Sequence, residues 1–171
     1  VGNPGPGLTK VGYAPGEPGV FYPTGTRHYV RVNTTDDRQG PAAAIWAKEL
    51  GFTRVYIIDD GESYGKGIAD LFRDKAMELG MVVLGQETLD ADAPDYVDVV
   101  RRIVAEKPDL IYFGGIVPNG IDRFIINMQD LGHRIQIMGP DGLTGQDLVN
   151  RIGAERSEGV LATTVAVPIS L

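Results

Sequence analysis

From Arg27 onward the apolar positions fall into two alternating patterns, short runs rich in β-branched residues and longer stretches where apolar residues return every three or four positions. The first pattern marks strands and the second amphipathic helices. Strands are predicted at residues 28–33, 54–59, 82–88, 109–114, 135–139 and 159–164. Several are apolar at successive positions, as strands covered on both faces are. Helices are predicted at residues 41–50, 64–79, 96–106, 119–131 and 145–152. In the fourth of these, Ile121, Phe124, Ile125 and Met128 share one face. Gly51, Gly80, Gly132 and Gly153 follow helices and suit a left-handed C-terminal residue, while Ser63, Asp92 and Thr144 can cap helix starts. Thr144-Gly145-Gln146-Asp147 has the form of a capping box with Asp in the last position.

Strand and helix in alternation predict an α/β fold, a doubly wound parallel sheet in flavodoxin-like order. The strands near residues 82, 54, 109, 135 and 159 should lie side by side in that sequence. Ligands of such sheets bind beyond the carboxyl ends of the strands. Function is therefore expected in the loops 59–64, 88–95, 114–120 and 140–145.

Residues 1–26 break the pattern. They hold 7 of the 23 glycines and 5 of the 11 prolines, with Lys10 and Glu17 as their charged residues, and read as a chain of turns. A loop of that length is expected to be functional or to pack on something beyond the chain. The remaining 27–171 form one unit of ordinary domain size. Apolar residues make up 43% and charged residues 23%, which places the chain among globular proteins; no apolar run approaches the roughly 18 residues of a membrane span. The start at Val1 lacks the basic-then-apolar form of a signal segment. A net charge of -7 argues against nucleic acid and anionic lipid as partners. Without cysteine there is no disulfide, thiolate nucleophile or thiolate metal site.

The candidate chemistry is sparse. Asp59-Asp60 resembles the acidic pair of response-regulator receivers, but Gly114-Gly115-Ile116 stands where a phospho-acceptor Asp is needed and Asp141 where a Lys is needed. Gly61-Glu62-Ser63-Tyr64-Gly65-Lys66-Gly67 matches neither the Walker spacing nor the dinucleotide fingerprint, although Glu87 at the next strand end would suit a ribose. A helix entry loosened by glycines is the plainer reading. His28 and His133 are the only histidines, and no Gly-x-Ser-x-Gly elbow occurs, so neither a metal site nor a catalytic triad is assembled. No cofactor and no enzymatic activity are expected. What remains suits a small zwitterion. Tyr64, at a helix start, can cover a ligand and donate a hydrogen bond. Asp141, in a tight turn after a strand, can pair with an ammonium group, though taken alone it reads as a turn residue.

Four runs, Thr35-Asp36-Asp37-Arg38-Gln39-Gly40-Pro41, Asp60-Gly61-Glu62-Ser63-Tyr64-Gly65-Lys66-Gly67, Ile111-Tyr112-Phe113-Gly114-Gly115 and Met138-Gly139-Pro140-Asp141-Gly142, carry a resemblance. Together they resemble the branched-chain amino-acid (Leu/Ile/Val) binding proteins of bacterial ABC transporters, and Asn3 to Tyr13 is similar to that family's interlobe stretch. The resemblance implies a type I periplasmic binding protein, a two-lobed clamshell, of which residues 27–171 would be the second lobe and 1–26 the crossover segment. The first lobe would then be a missing partner, and the cleft face with its apolar residues Ile116 and Val117 would be open to self-association. By position the resemblance makes Tyr64 the tyrosine that closes over the ligand, Asp141 the partner of its ammonium and Asp36 an aspartate beside the hinge. Ile116 stands where a second cleft tyrosine is usual, and Asp141 where Glu is usual. The implied function is extracytoplasmic capture of an amino acid or related small amide for import through an ABC-transporter permease, periplasmic or membrane-associated outside the cell. A sensory or regulatory receptor domain on the same clamshell is the alternative.

Overall fold

The computed structural model describes residues 5–165. Five strands, β1 (Arg54–Asp59), β2 (Val82–Thr88), β3 (Leu110–Gly114), β4 (Gln136–Gly139) and β5 (Leu161–Ala162), form one sheet in the order β2-β1-β3-β4-β5. Every pairing is parallel. This is the predicted order: the chain steps from β1 outward to β2, crosses back past β1 to β3, and continues through β4 to β5. Helices α1 (Asp36–Glu49) and α2 (Ser63–Glu78) cover one face of the sheet; α3 (Val97–Ala105), α4 (Ile121–Asp130) and α5 (Asp147–Ile152) cover the other. A last short helix, α6 (Ala154–Ser157), precedes β5.

Strand β3 shows why the sheet is buried on both sides. All five of its residues are buried, with Leu110 and Tyr112 packed toward α1 and α2, and Ile111 and Phe113 toward α3 and α4. The period of two sends alternate side chains into two separate cores. The first core is built from small residues on α1, namely Ala43, Ala44 and Ala47, so that the helix lies close to its neighbour. A methyl group on Gly40 would sit 2.8 Å from Cβ of Leu71 on α2, closer than carbon atoms approach. Beneath them the rings of Phe72 and Tyr112 stack with centroids 3.8 Å apart and planes 8° from parallel.

Several sequence expectations are corrected. Residues 28–33 form no strand among the described residues; Val30 and Val32 are 85% and 96% exposed. Alternating β-branched residues mark extended backbone, but a strand also needs an edge to pair with. This segment is tied instead to the turns before it, where the Arg31 guanidinium donates to Thr9 Oγ1 and to the Gly5 carbonyl. Helix α1 starts five residues before the predicted Pro41, which lies inside it and forgoes one helical bond while the buried face holds. The predicted caps do not form. Glu62 precedes α2, with Ser63 already helical, and the Thr144 hydroxyl donates backward to the Asp141 carbonyl. Asp92 lies in a turn five residues before α3, whose first amide is met by Asp95 instead. Gly51, Gly80 and Gly132 do take positive φ after their helices, as expected. Glu87 is not free for a ribose: it accepts from Tyr56 and pairs with Arg102.

Replacing the fully buried Phe72 by Ala removes the stack on Tyr112 and leaves a cavity between α2 and the sheet. Chemical denaturation should show a loss of about 3–5 kcal/mol; a loss below about 1 kcal/mol would mean that the two helices close over the gap.

Candidate functional site

At the carboxyl ends of β1, β3 and β4 the chain leaves the sheet in three loops that enclose a cleft of about 830 Å³. Tyr64 reaches it from the first turn of α2, and Asp141 from the single 3-10 turn Asp141–Leu143 that follows β4. Ile116 lies just past β3, and Asp36 opens α1. All four residues singled out in the sequence line this one cleft. They stand in it differently. The Tyr64 hydroxyl donates to Asp141 Oδ1 at 2.7 Å, so the phenol and the carboxylate already form a unit. Asp36 is buried, and its Oδ1 has no hydrogen-bond partner among the described residues. Ile116 is 41% exposed and forms part of the rim; Val117, expected to share its exposed apolar surface, is instead buried beneath it.

The opposite wall comes from the first segment. Gly5 to Leu8, Tyr13, Glu17 and Phe21 line the cleft, and the segment is held together by turns such as the Tyr22 hydroxyl donating to the Leu8 carbonyl at 2.6 Å. The reading of residues 1–26 as a run of turns holds for those described, which contain only two single 3-10 turns, at Pro6–Leu8 and Gly19–Phe21.

The electrostatics of the cleft are one-sided. Glu17, Asp36 and Asp141 line it, and no Lys or Arg does among the described residues. Burial, reinforced by repulsion from Asp141 and only partly opposed by Arg31, pushes the Asp36 carboxyl up to about 6. The same surroundings keep two phenols protonated. Tyr64 is shifted upward by burial and by its bond to Asp141. Tyr112 is shifted upward by burial and then by the fields of Asp141 and Asp36.

Tyr112, fully buried and outside the cleft lining, is a neighbour of the site that sequence reasoning passed over. It belongs to the apolar run of β3, yet its buried hydroxyl has no partner among the described residues and lies within the field of both cleft carboxylates. The available signal was a single hydroxyl at the centre of a strand otherwise made of Leu, Ile, Phe and Gly. Asp59 and Asp60 prove to be structural acceptors: Asp59 Oδ1 takes the Gly61 amide at 3.0 Å and the Thr88 hydroxyl at 2.8 Å. Among the described residues there is no cluster of His, Cys, Asp or Glu able to hold a metal, and no helix long and apolar enough to cross a membrane.

The position of Asp36 yields a pH dependence. Its carboxyl is raised from 3.8 to about 6, so between those values the folded protein binds a proton that the unfolded chain has lost. Stability contributed by Asp36 is therefore greatest below about pH 4 and falls as pH rises through about 6. Asp36→Asn should remove this decline and raise the melting temperature near neutral pH. Thermal denaturation across that range checks it, and an unchanged profile would place Asp36 in contact with water rather than in the interior.

A family model described as periplasmic binding protein matches residues 11–171. The Leu/Ile/Val/Thr-binding protein of Salmonella typhimurium is 31% identical over 140 residues, which is 81% of this chain and 38% of that protein. The Leu/Ile/Val-binding protein BraC3 of Rhizobium johnstonii is 30% identical, over 83% of this chain and 38% of its own length. Among solved structures, the leucine binding protein LivK of Thermotoga maritima superimposes with a TM-score of 0.71 at 31% identity, covering 77% of this chain and 37% of that one. The chain thus spans less than two fifths of the length of these relatives. With most of its length under the family model, and a parallel sheet that superimposes on a solved member, the chain belongs to the periplasmic binding proteins.

Proposed function

We propose that this chain is one ligand-binding lobe of an extracytoplasmic solute-binding protein, and that it holds an amino-acid-like molecule for import through an ABC transporter. The observation that carries the reading is the Tyr64 to Asp141 hydrogen bond at the floor of the cleft. It fixes a carboxylate at the place where an ammonium group would enter, and leaves its other oxygen to meet that group. Asp36 adds a second negative charge, and a cationic group arriving between the two carboxylates would relieve their repulsion. Ile116 offers an apolar flank for a side chain. The names of the relatives, binding proteins for leucine, isoleucine and valine, point to the same ligand class.

On this reading residues 27–171 are the second lobe and 1–26 the crossover between lobes. The first lobe supplies the groups that meet the ligand carboxylate, because the described lining of this cleft contains no cation to do so. No bond is made or broken; capture rests on charge pairing, hydrogen bonds and exclusion of water. The protein works outside the cytoplasm and hands its ligand to a permease. The exposed Val11, Val20, Val30, Val32 and Phe21 form apolar surface that the first lobe would cover, and on which the isolated chain would self-associate.

Asp141→Asn tests the reading in the intact protein. The amide oxygen still accepts from Tyr64, so the change removes charge with little change of shape. Affinity for leucine should fall by roughly 10- to 150-fold, the value of one charge-assisted hydrogen bond, while stability barely moves. Calorimetric titration measures it; an unaltered affinity would return Asp141 to the role of a turn residue.

A further inference from the structure

We propose that Asp60 is the positioning residue of this cleft, clamping the loop that presents Ile116 to the entry of the helix that presents Tyr64. The inference rests on the ligand-binding reading above. Asp60 follows β1 and is 6% exposed. Its amide donates to the Gly114 carbonyl at the end of β3, 3.1 Å away. Its carboxylate reaches both neighbouring loops. Oδ1 accepts the Glu62 amide, immediately before α2, at 3.1 Å. Oδ2 accepts Asn119 Nδ2 at 2.8 Å and the Ile116 amide at 3.3 Å. All three approaching groups are donors, which an ionised carboxylate can meet because it offers acceptor positions only.

The surroundings are shaped to this carboxylate. A Cβ on Gly65, in the first turn of α2, would lie 2.1 Å from Asp60 Oδ1, and one on Gly115 would lie 2.6 Å from Oδ2. Any other residue at either place would displace the clamp. Asp60 is not part of the cleft lining. It therefore acts through Ile116 and Tyr64, and through the spacing between Ile116 and the Tyr64 to Asp141 pair. Its neighbour Asp59 is equally buried but binds the Gly61 amide and the Thr88 hydroxyl, toward β2 and away from Ile116. That contrast supplies a control.

Asparagine at position 60 has one accepting and one donating end. Whichever way its amide turns, either the Glu62 amide or the Ile116 and Asn119 donors face an NH₂ group. In the intact protein Asp60→Asn should hasten hydrogen exchange at the Ile116 amide and weaken binding of leucine, isoleucine or valine about tenfold. Asp59→Asn should lower stability yet leave Ile116 exchange and affinity near those of the unsubstituted protein. Unchanged Ile116 exchange in Asp60→Asn, or equal effects in Asp59→Asn, would each overturn the proposal. Should Asp60→Asn fail to fold, Asn119→Ala removes a single donor, and unaltered exchange and affinity there would overturn it too. If the unsubstituted protein binds none of the three amino acids, the ligand reading falls, while the exchange data still decide whether Asp60 clamps the loop.

Discussion

Close approach of backbone to backbone at one end of the sheet is the constraint on which the rest of this structure depends. A Cβ on Gly114 would sit 2.2 Å from the carbonyl oxygen of Gly65, and one on Gly142 would sit 2.2 Å from that of Gly115. The end of β3 and the first turn of α2, and the loops after β3 and β4, thus approach through their main chains at these glycines. Tyr64, Ile116 and Asp141 can share a cleft only because their loops leave the sheet at this distance. Glycine at these positions serves steric fit. Within the glycine-rich run around Tyr64, which superficially suggests a phosphate loop, Gly65 is explained by the same contact and Gly61 by its positive φ.

The fold was largely legible because its strands are apolar runs with both faces covered and its helices carry a regular apolar stripe. β1 and β2 fall at the expected residues, and the sheet order is the flavodoxin-like one that the alternation predicts. Two kinds of feature were hidden. Residues 28–33 have the pattern of a strand, but pairing is decided by what lies alongside, which a local pattern does not encode. Caps were misplaced because Ser, Thr and Asp satisfy backbone groups in several ways, and neighbours three residues away, Asp95 and the Asp141 carbonyl, prevail.

The candidate site was legible to a different degree. From chemistry alone Asp141 reads as a turn residue, and only the resemblance of four short motifs singled it out together with Asp36. Their common cleft depends on sheet order, since β1, β3 and β4 must be neighbours before loops so distant in sequence can meet. Tyr112 escaped notice because its body belongs to the core, stacked on Phe72, while only its hydroxyl lies in the field of the cleft carboxylates. A residue with one end in each environment shows only its larger part to a hydropathy pattern. The accumulation of carboxylates around these phenols is likewise a product of folding, drawn from Asp36 and Asp141 on two separate elements.

The loop carrying Ile116 is held at its main chain: the amide of that residue is bound, whereas its side chain stands partly in solvent at the rim. An attachment of this kind is indifferent to side-chain identity. Substitutions at position 116 can therefore alter the shape and polarity of the rim without disturbing Asp60, the glycine contacts or either core. Evolution has at this one position a means of changing what the cleft accepts while the scaffold that presents it stays the same.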